Sequence, residues 1–294
     1  MKTYLVLCFV AVAQLLSAQV ALKFNPEKGS KYDYNTTVVQ KINMSVMGQN
    51  METVLNVGIL YDFVINDKTS EEVKTTVTYK EMSLNSQNPM MPMSYSSKTP
   101  KANPTEAETA IGKFFSAMID VPIGITFAPE GKVKGVSGFE KIADEITKAM
   151  GSNAAANGMA NMMKEQFSEE MMKQSMEQSF NVYPDKPVKI GDSWTKSASV
   201  PMKPLDIKSE IVYTLKSIDK NNALVGIAAD LKMDSSPNTA ASMNLKGTQT
   251  GTMTIDLKSG IIKSSEVTLK LSGTVANNPF EMDATSNLSI TEKK

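Results

Sequence analysis

The chain reads as an α+β protein: a strongly curved, half-barrel-like antiparallel β-sheet of about nine or ten strands in two related halves, with inserted Met-rich helices packed in the concave side. Three observations predict this. Apolar and polar residues alternate through the first and last thirds, as in Val73-x-Thr75-x-Val77-x-Tyr79 and Val225-x-Ile227-x-Ala229-x-Leu231-x-Met233, the pattern of sheets with one buried and one wet face. The middle third carries apolar residues at helical spacing. Sheets this wide curl or split, and helices apolar on more than one side are natural filler for the hollow.

Residues 1–18 are expected to be a secretory signal peptide. Lys2 opens it, Tyr4 to Leu16 form the apolar run and Ser17-Ala18 the small-residue cleavage site. Cys8 lies inside that run, too early for a lipoprotein cysteine, and reads as apolar filler. The remainder, 19–294, is expected to be a single α+β domain: an N-terminal β half (19–101), a helical insert with a short hairpin (102–181) and a C-terminal β half (182–294).

In the first half, Lys28 to Leu84 should form three long strands turning at Gly48-Gln49-Asn50 and Asn66-Asp67-Lys68. Asn85 to Pro104, with Pro89, Pro92, Pro100 and Pro104, reads as a long loop. Pro104 then suits a first helical turn, followed by Ala107, Ile111, Phe114, Phe115 and Met118. Ile123–Phe127 and Lys132–Val136 form a hairpin around Pro129-Glu130-Gly131. A helix runs from Gly138 through Ile142, Ile146 and Met150; Gly151 to Gly158 reads as a flexible break, and a longer helix as Met159 to Phe180. From Trp194 onward strand alternation returns through Ile211, Tyr213, Leu215, Met253, Ile255, Val267, Leu269 and Leu271. The two strand zones share landmarks: Gly29-Ser30-Lys31-Tyr32 matches Gly191-Asp192-Ser193-Trp194, and Asp67-Lys68 matches Asp219-Lys220. That suggests two related β units with the helices inserted between them.

Composition excludes much. The 31 basic residues, all Lys, balance 31 acidic ones, so no basic excess marks a nucleic-acid partner. Beyond the signal segment there is no His, Arg or Cys, which removes the commonest general base, nucleophile and metal ligands. No second apolar run approaches the ~20 residues of a transmembrane helix. Ser217-Ile218-Asp219-Lys220 matches a Ser-x-x-Lys pattern but falls on an expected hairpin turn. No catalytic, cofactor-binding or metal-binding residue is therefore assigned, and no cofactor is expected. A carboxylate-based hydrolase stays a lesser alternative.

Methionine is enriched, with 21 in the chain. Met159, Met162, Met163, Phe167 and Met171 sweep one broad face of the long helix, while Met172, Met176 and Phe180 continue round it. Adaptable core packing explains such a helix; so does a deformable wall for an apolar ligand, with Met159, Met162, Met163, Phe167 and Met171 as the lining. Thioether binding of Cu(I) and scavenging of oxidants are further alternatives.

The run Tyr183-Pro-Asp-Lys-Pro-Val-Lys-Ile-Gly191-Asp-Ser-Trp194 is a rigid lead-in in which Gly191 permits a turn and Trp194 anchors the next strand. Together with Phe127–Val136, Asp256–Ile262 and the signal ending Ser17-Ala18-Gln19, it resembles an uncharacterised family of exported Bacteroidota envelope proteins, a domain of unknown function. The resemblance implies a periplasmic or outer-envelope location, possible secretion included, and supplies no catalytic residues. The plan is more loosely similar to periplasmic lipid-carrier half-barrels. The expected function is an exported, non-catalytic envelope protein whose partner is an apolar small molecule such as a lipid or acyl chain. The alternative is a structural or assembly component binding an envelope protein.

Overall fold

The computed structural model describes residues 19–46, 49–90, 92–150, 169–202, 205–234 and 243–293. They form one open sheet of twelve strands, more than the nine or ten expected, and every pairing between strands is antiparallel. Strand dominates the described residues, which also contain three helices. The first half contains β1 (Lys31–Val46), β2 (Gln49–Lys68), β3 (Val73–Ser86), β4 (Met93–Ser96), β5 (Pro122–Phe127) and β6 (Val133–Ser137). The second contains β7 (Ser193–Met202), β8 (Leu205–Asp219), β9 (Asn222–Asp234), β10 (Met243–Asp256), β11 (Ile262–Val275) and β12 (Asn278–Lys293). The order across the sheet is β6-β5-β3-β2-β1-β12-β11-β10-β9-β8-β7, with β4 pairing β3 off this path. Strand β4 corrects the expected long loop: Pro92 precedes it and Pro100 follows it, so the proline-free stretch between can pair as a short edge strand.

Helix α1 (Glu106–Ser116) lies between β4 and β5, and α2 (Phe139–Met150) and α3 (Glu169–Phe180) lie between the halves. Thr105 is the N-cap of α1 in a capping box with Glu108, so Pro104 stands just before the cap and not in the first turn. Glu108 is buried and also accepts from Ser94 N–H (3.0 Å) and Lys101 Nζ (2.9 Å), tying α1 to β4. Helix α3 is the described end of the long helix expected from Met159. It packs against both β6 and β7, the two edges of the sheet path.

The two halves repeat a backbone pattern. Gly29 N–H donates to Ile65 O (2.8 Å) and Ile65 N–H to Ser30 O (2.9 Å); Gly191 N–H donates to Leu215 O (2.8 Å) and Leu215 N–H to Asp192 O (3.0 Å). Both glycines have positive φ, 85° and 93°. Tyr32 then pairs with Phe63 as Trp194 pairs with Tyr213, and the next register slips just beyond Ile65 and Leu215 alike.

One core joins both halves. Phe63, Ile125 and Phe127 from the first and Leu215, Val225 and Ile255 from the second belong to the same buried cluster. Residues 20–25 run through it: Val20 bridges Val188, Phe24 N–H donates to Pro129 O (3.1 Å) and Asn25 N–H to Ser259 O (2.8 Å). The N-terminal segment thus grips the β5–β6 turn and the β10–β11 turn at once.

Candidate functional site

Between the inner face of the sheet and the end of α3 lies a cavity of about 230 Å³. Its floor is two register rows. In one, Tyr34 on β1 pairs with Tyr61 on β2, which pairs with Tyr79 on β3. In the next, Leu288 on β12 pairs with Thr36, which pairs with Ile59. Met176 and Phe180 of α3 form the roof, and Phe24, Tyr183, Ile261 and Ile262 close one end. No Lys, Asp or Glu lines it among the described residues.

The tyrosine row is a consequence of period-two side-chain placement on paired strands. Tyr34 and Tyr61 stack at 4.9 Å between ring centres with 20° between planes, and Tyr61 meets Tyr79 edge-on at 5.9 Å. Phe180 ties the roof to the core, 4.7 Å from Phe127 and 6.1 Å from Phe63. Tyr183 is 1% exposed and donates from its hydroxyl to Gly260 O at 2.6 Å. Burial pushes the phenols of Tyr34, Tyr61, Tyr79 and Tyr183 upward, so all four stay neutral donors at ordinary pH.

Met159, Met162, Met163 and Phe167 lie outside the described residues, and Met171 is on α3. The described helix residues at the cavity are Met176 and Phe180. Gly191 sits in the turn into β7. Trp194 donates from Nε1 to Val182 O (2.8 Å) and stacks on Tyr213 at 5.8 Å. The tyrosine row escaped sequence reading. Its one visible signal was aromatic alternation, Tyr32-x-Tyr34 and Tyr61-x-Phe63; that these residues align across strands depends on hairpin lengths.

A larger groove of about 880 Å³ lies open on the other face, over Val212, Ala228, Asp230 and Thr250 of β8–β10. It is the poorer candidate despite its size, because solvent-facing side chains floor it and no described residue roofs it. Among the described residues no group of three His, Cys, Asp or Glu side chains is placed to hold a metal ion. No described helix is long and apolar enough to cross a membrane.

A family model covers residues 70–262, from the end of the β2–β3 hairpin to the start of β11. The chain belongs to the family of unknown function DUF6263. No curated protein sequence matches it. Among solved structures it is similar to lipovitellin, described for its lipid–protein interactions, with a TM-score of 0.51 and 9% identity over 90% of this chain and 25% of that one. At that identity the likeness shows fold alone, and the chain spans a quarter of lipovitellin's length. Two matches from Pseudomonas aeruginosa, OccK5 (OpdH) at 8% identity and OpdQ at 7%, each cover 90% of this chain and 98% of their own. Their TM-scores of 0.28 and 0.26 carry no argument.

Proposed function

We propose that this DUF6263 protein is an exported, non-catalytic envelope protein that holds an apolar ligand between the inner face of its sheet and helix α3. The observation that carries the reading is the cavity of about 230 Å³ walled by Tyr34, Ile59, Tyr61, Val77, Leu288, Met176 and Phe180. An apolar, largely enclosed site with a few polar groups suits small hydrophobic ligands, and the unbranched Met176 side chain can adapt to different occupants.

In this reading the sheet curls round the helix. Laid flat, eleven strands at ~4.8 Å spacing would put β6 and β7 about 48 Å apart. Helix α3, with 12 residues and so about 18 Å long, nevertheless touches both. Gly247 and Gly251 let β10 and β11 approach closely: a Cβ at either would run into the β11 backbone, at Lys270 O and Glu266 O. The fold likeness to lipovitellin is consistent with a lipid-binding plan. An assembly role has less support, since the exposed large apolar residues Val39, Met90, Ile190, Val212 and Leu224 fall on separate segments.

The test is native mass spectrometry of the protein purified from its own envelope, with solvent extraction of what co-purifies. The expected result is a retained apolar mass that is lost in Met176→Asn while circular dichroism stays unchanged. A clean apo mass in the wild type, together with no uptake of added hydrophobic probes, would overturn the reading.

A further inference from the structure

We propose that the ligand of this cavity is uncharged and carries a hydrogen-bond acceptor, a ketone or ester oxygen on an apolar body, which takes the proton of the Tyr34 hydroxyl. This rests on the reading of the cavity as a ligand site. Tyr34 is 3% exposed, and its ring is held by Tyr61 (4.9 Å) and Phe63 (5.3 Å). Tyr34 lines the cavity, and its hydroxyl makes no hydrogen bond among the described residues. The neighbouring Tyr183 differs, donating to Gly260 O at 2.6 Å. A tyrosine in an apolar wall ordinarily finds a partner for its hydroxyl, and an acceptor on the ligand would supply one here. Tyr79, further along the row, also lines the cavity with no hydrogen bond from its hydroxyl among the described residues.

The rest of the wall sets the class of ligand. Each free phenol has one proton to place, and a carbonyl oxygen offers two lone pairs to receive it. A carboxylate or phosphate would instead be buried without a counter-charge, since no Lys lines the cavity among the described residues. A cavity of about 150 Å³ already accepts benzene, so 230 Å³ has room for a benzene-sized body bearing a short oxygenated arm.

Three probes of similar shape test this by titration calorimetry on the mature protein: acetophenone, its hydrocarbon counterpart isopropylbenzene, and benzoate. Tyr34→Phe keeps the ring contacts, and Tyr79→Phe serves as the second variant if the first melts early. The expected result is that losing the hydroxyl weakens acetophenone about five-fold, the worth of one hydrogen bond. Isopropylbenzene should be unaffected and benzoate should fail to bind. Equal effects of Tyr34→Phe on acetophenone and isopropylbenzene would overturn the inference while leaving the cavity a ligand site, its hydroxyl then being served by water. Benzoate binding as tightly as acetophenone would overturn the uncharged class. Failure of all three to bind the wild type, with a clean apo mass, would sink the cavity reading and this inference with it.

Discussion

At the scale of single residues, Glu108 shows how one carboxylate can organise a proline-rich segment. It accepts from Thr105 N–H, Lys101 and Ser94 N–H, and these bonds, the Thr105 one foremost, hold its pKa down from 4.5 to about 2. Because the folded value lies below the unfolded one, the carboxylate's contribution to stability is complete above the unfolded value. It disappears as pH falls from there through the folded value. Glu108→Gln should therefore melt earlier than wild type at neutral pH, with the gap closing as pH is lowered toward 2; thermal melts across that range check it. A gap independent of pH would mean that the side chain matters for packing and not for charge. This residue was partly legible in sequence. Thr105 and Glu108 carry capping-box spacing, but nothing local announces that Ser94 and Lys101 converge on the same carboxylate, since those contacts depend on where β4 pairs.

At the scale of elements, strands were legible and their alignment was not. Alternation marks each strand because side chains on one face share a core, whereas register is set by hairpin length. The glycine-to-partner spacing is the clearest case: Gly29 meets Ile65, 36 positions on, while Gly191 meets Leu215, 24 on, with the same hydrogen bonds. The longer β1–β2 hairpin accounts for the difference, and for the mismatched landmark offsets that blur the repeat in sequence. The candidate site suffered for the same reason. Helical spacing shows that the Met-rich helix is apolar on several sides, yet which side meets the cavity depends on how α3 is held against β6 and β7. The β10–β11 pair carries its own expectation. Gly251→Ala would press a methyl group into the backbone at Glu266, costing about 1–3 kcal/mol. Gly135→Ala on β6 has open space around it and should be near neutral. Urea unfolding of the two variants side by side checks this, and a neutral Gly251→Ala would show that the strands can part without penalty.

At the scale of the whole molecule, Phe24 is the residue on which both halves lean. It is 2% exposed, with its ring 4.9 Å from Phe127, 6.3 Å from Phe180 and 6.5 Å from Tyr183. Phe24→Ala should cost about 3–5 kcal/mol. Unfolding followed by Trp194 fluorescence and by circular dichroism should shift together, because one buried cluster spans the sheet. Two separated transitions would mean that the halves are stable independently.

The grip of residues 20–25 on turns at Pro129 and Ser259, with β1 lying beside β12, also orders events in time. Strand β1 cannot gain its β12 neighbour until residues 278–293 exist, so completing the sheet is bounded by the slow search for distant partners.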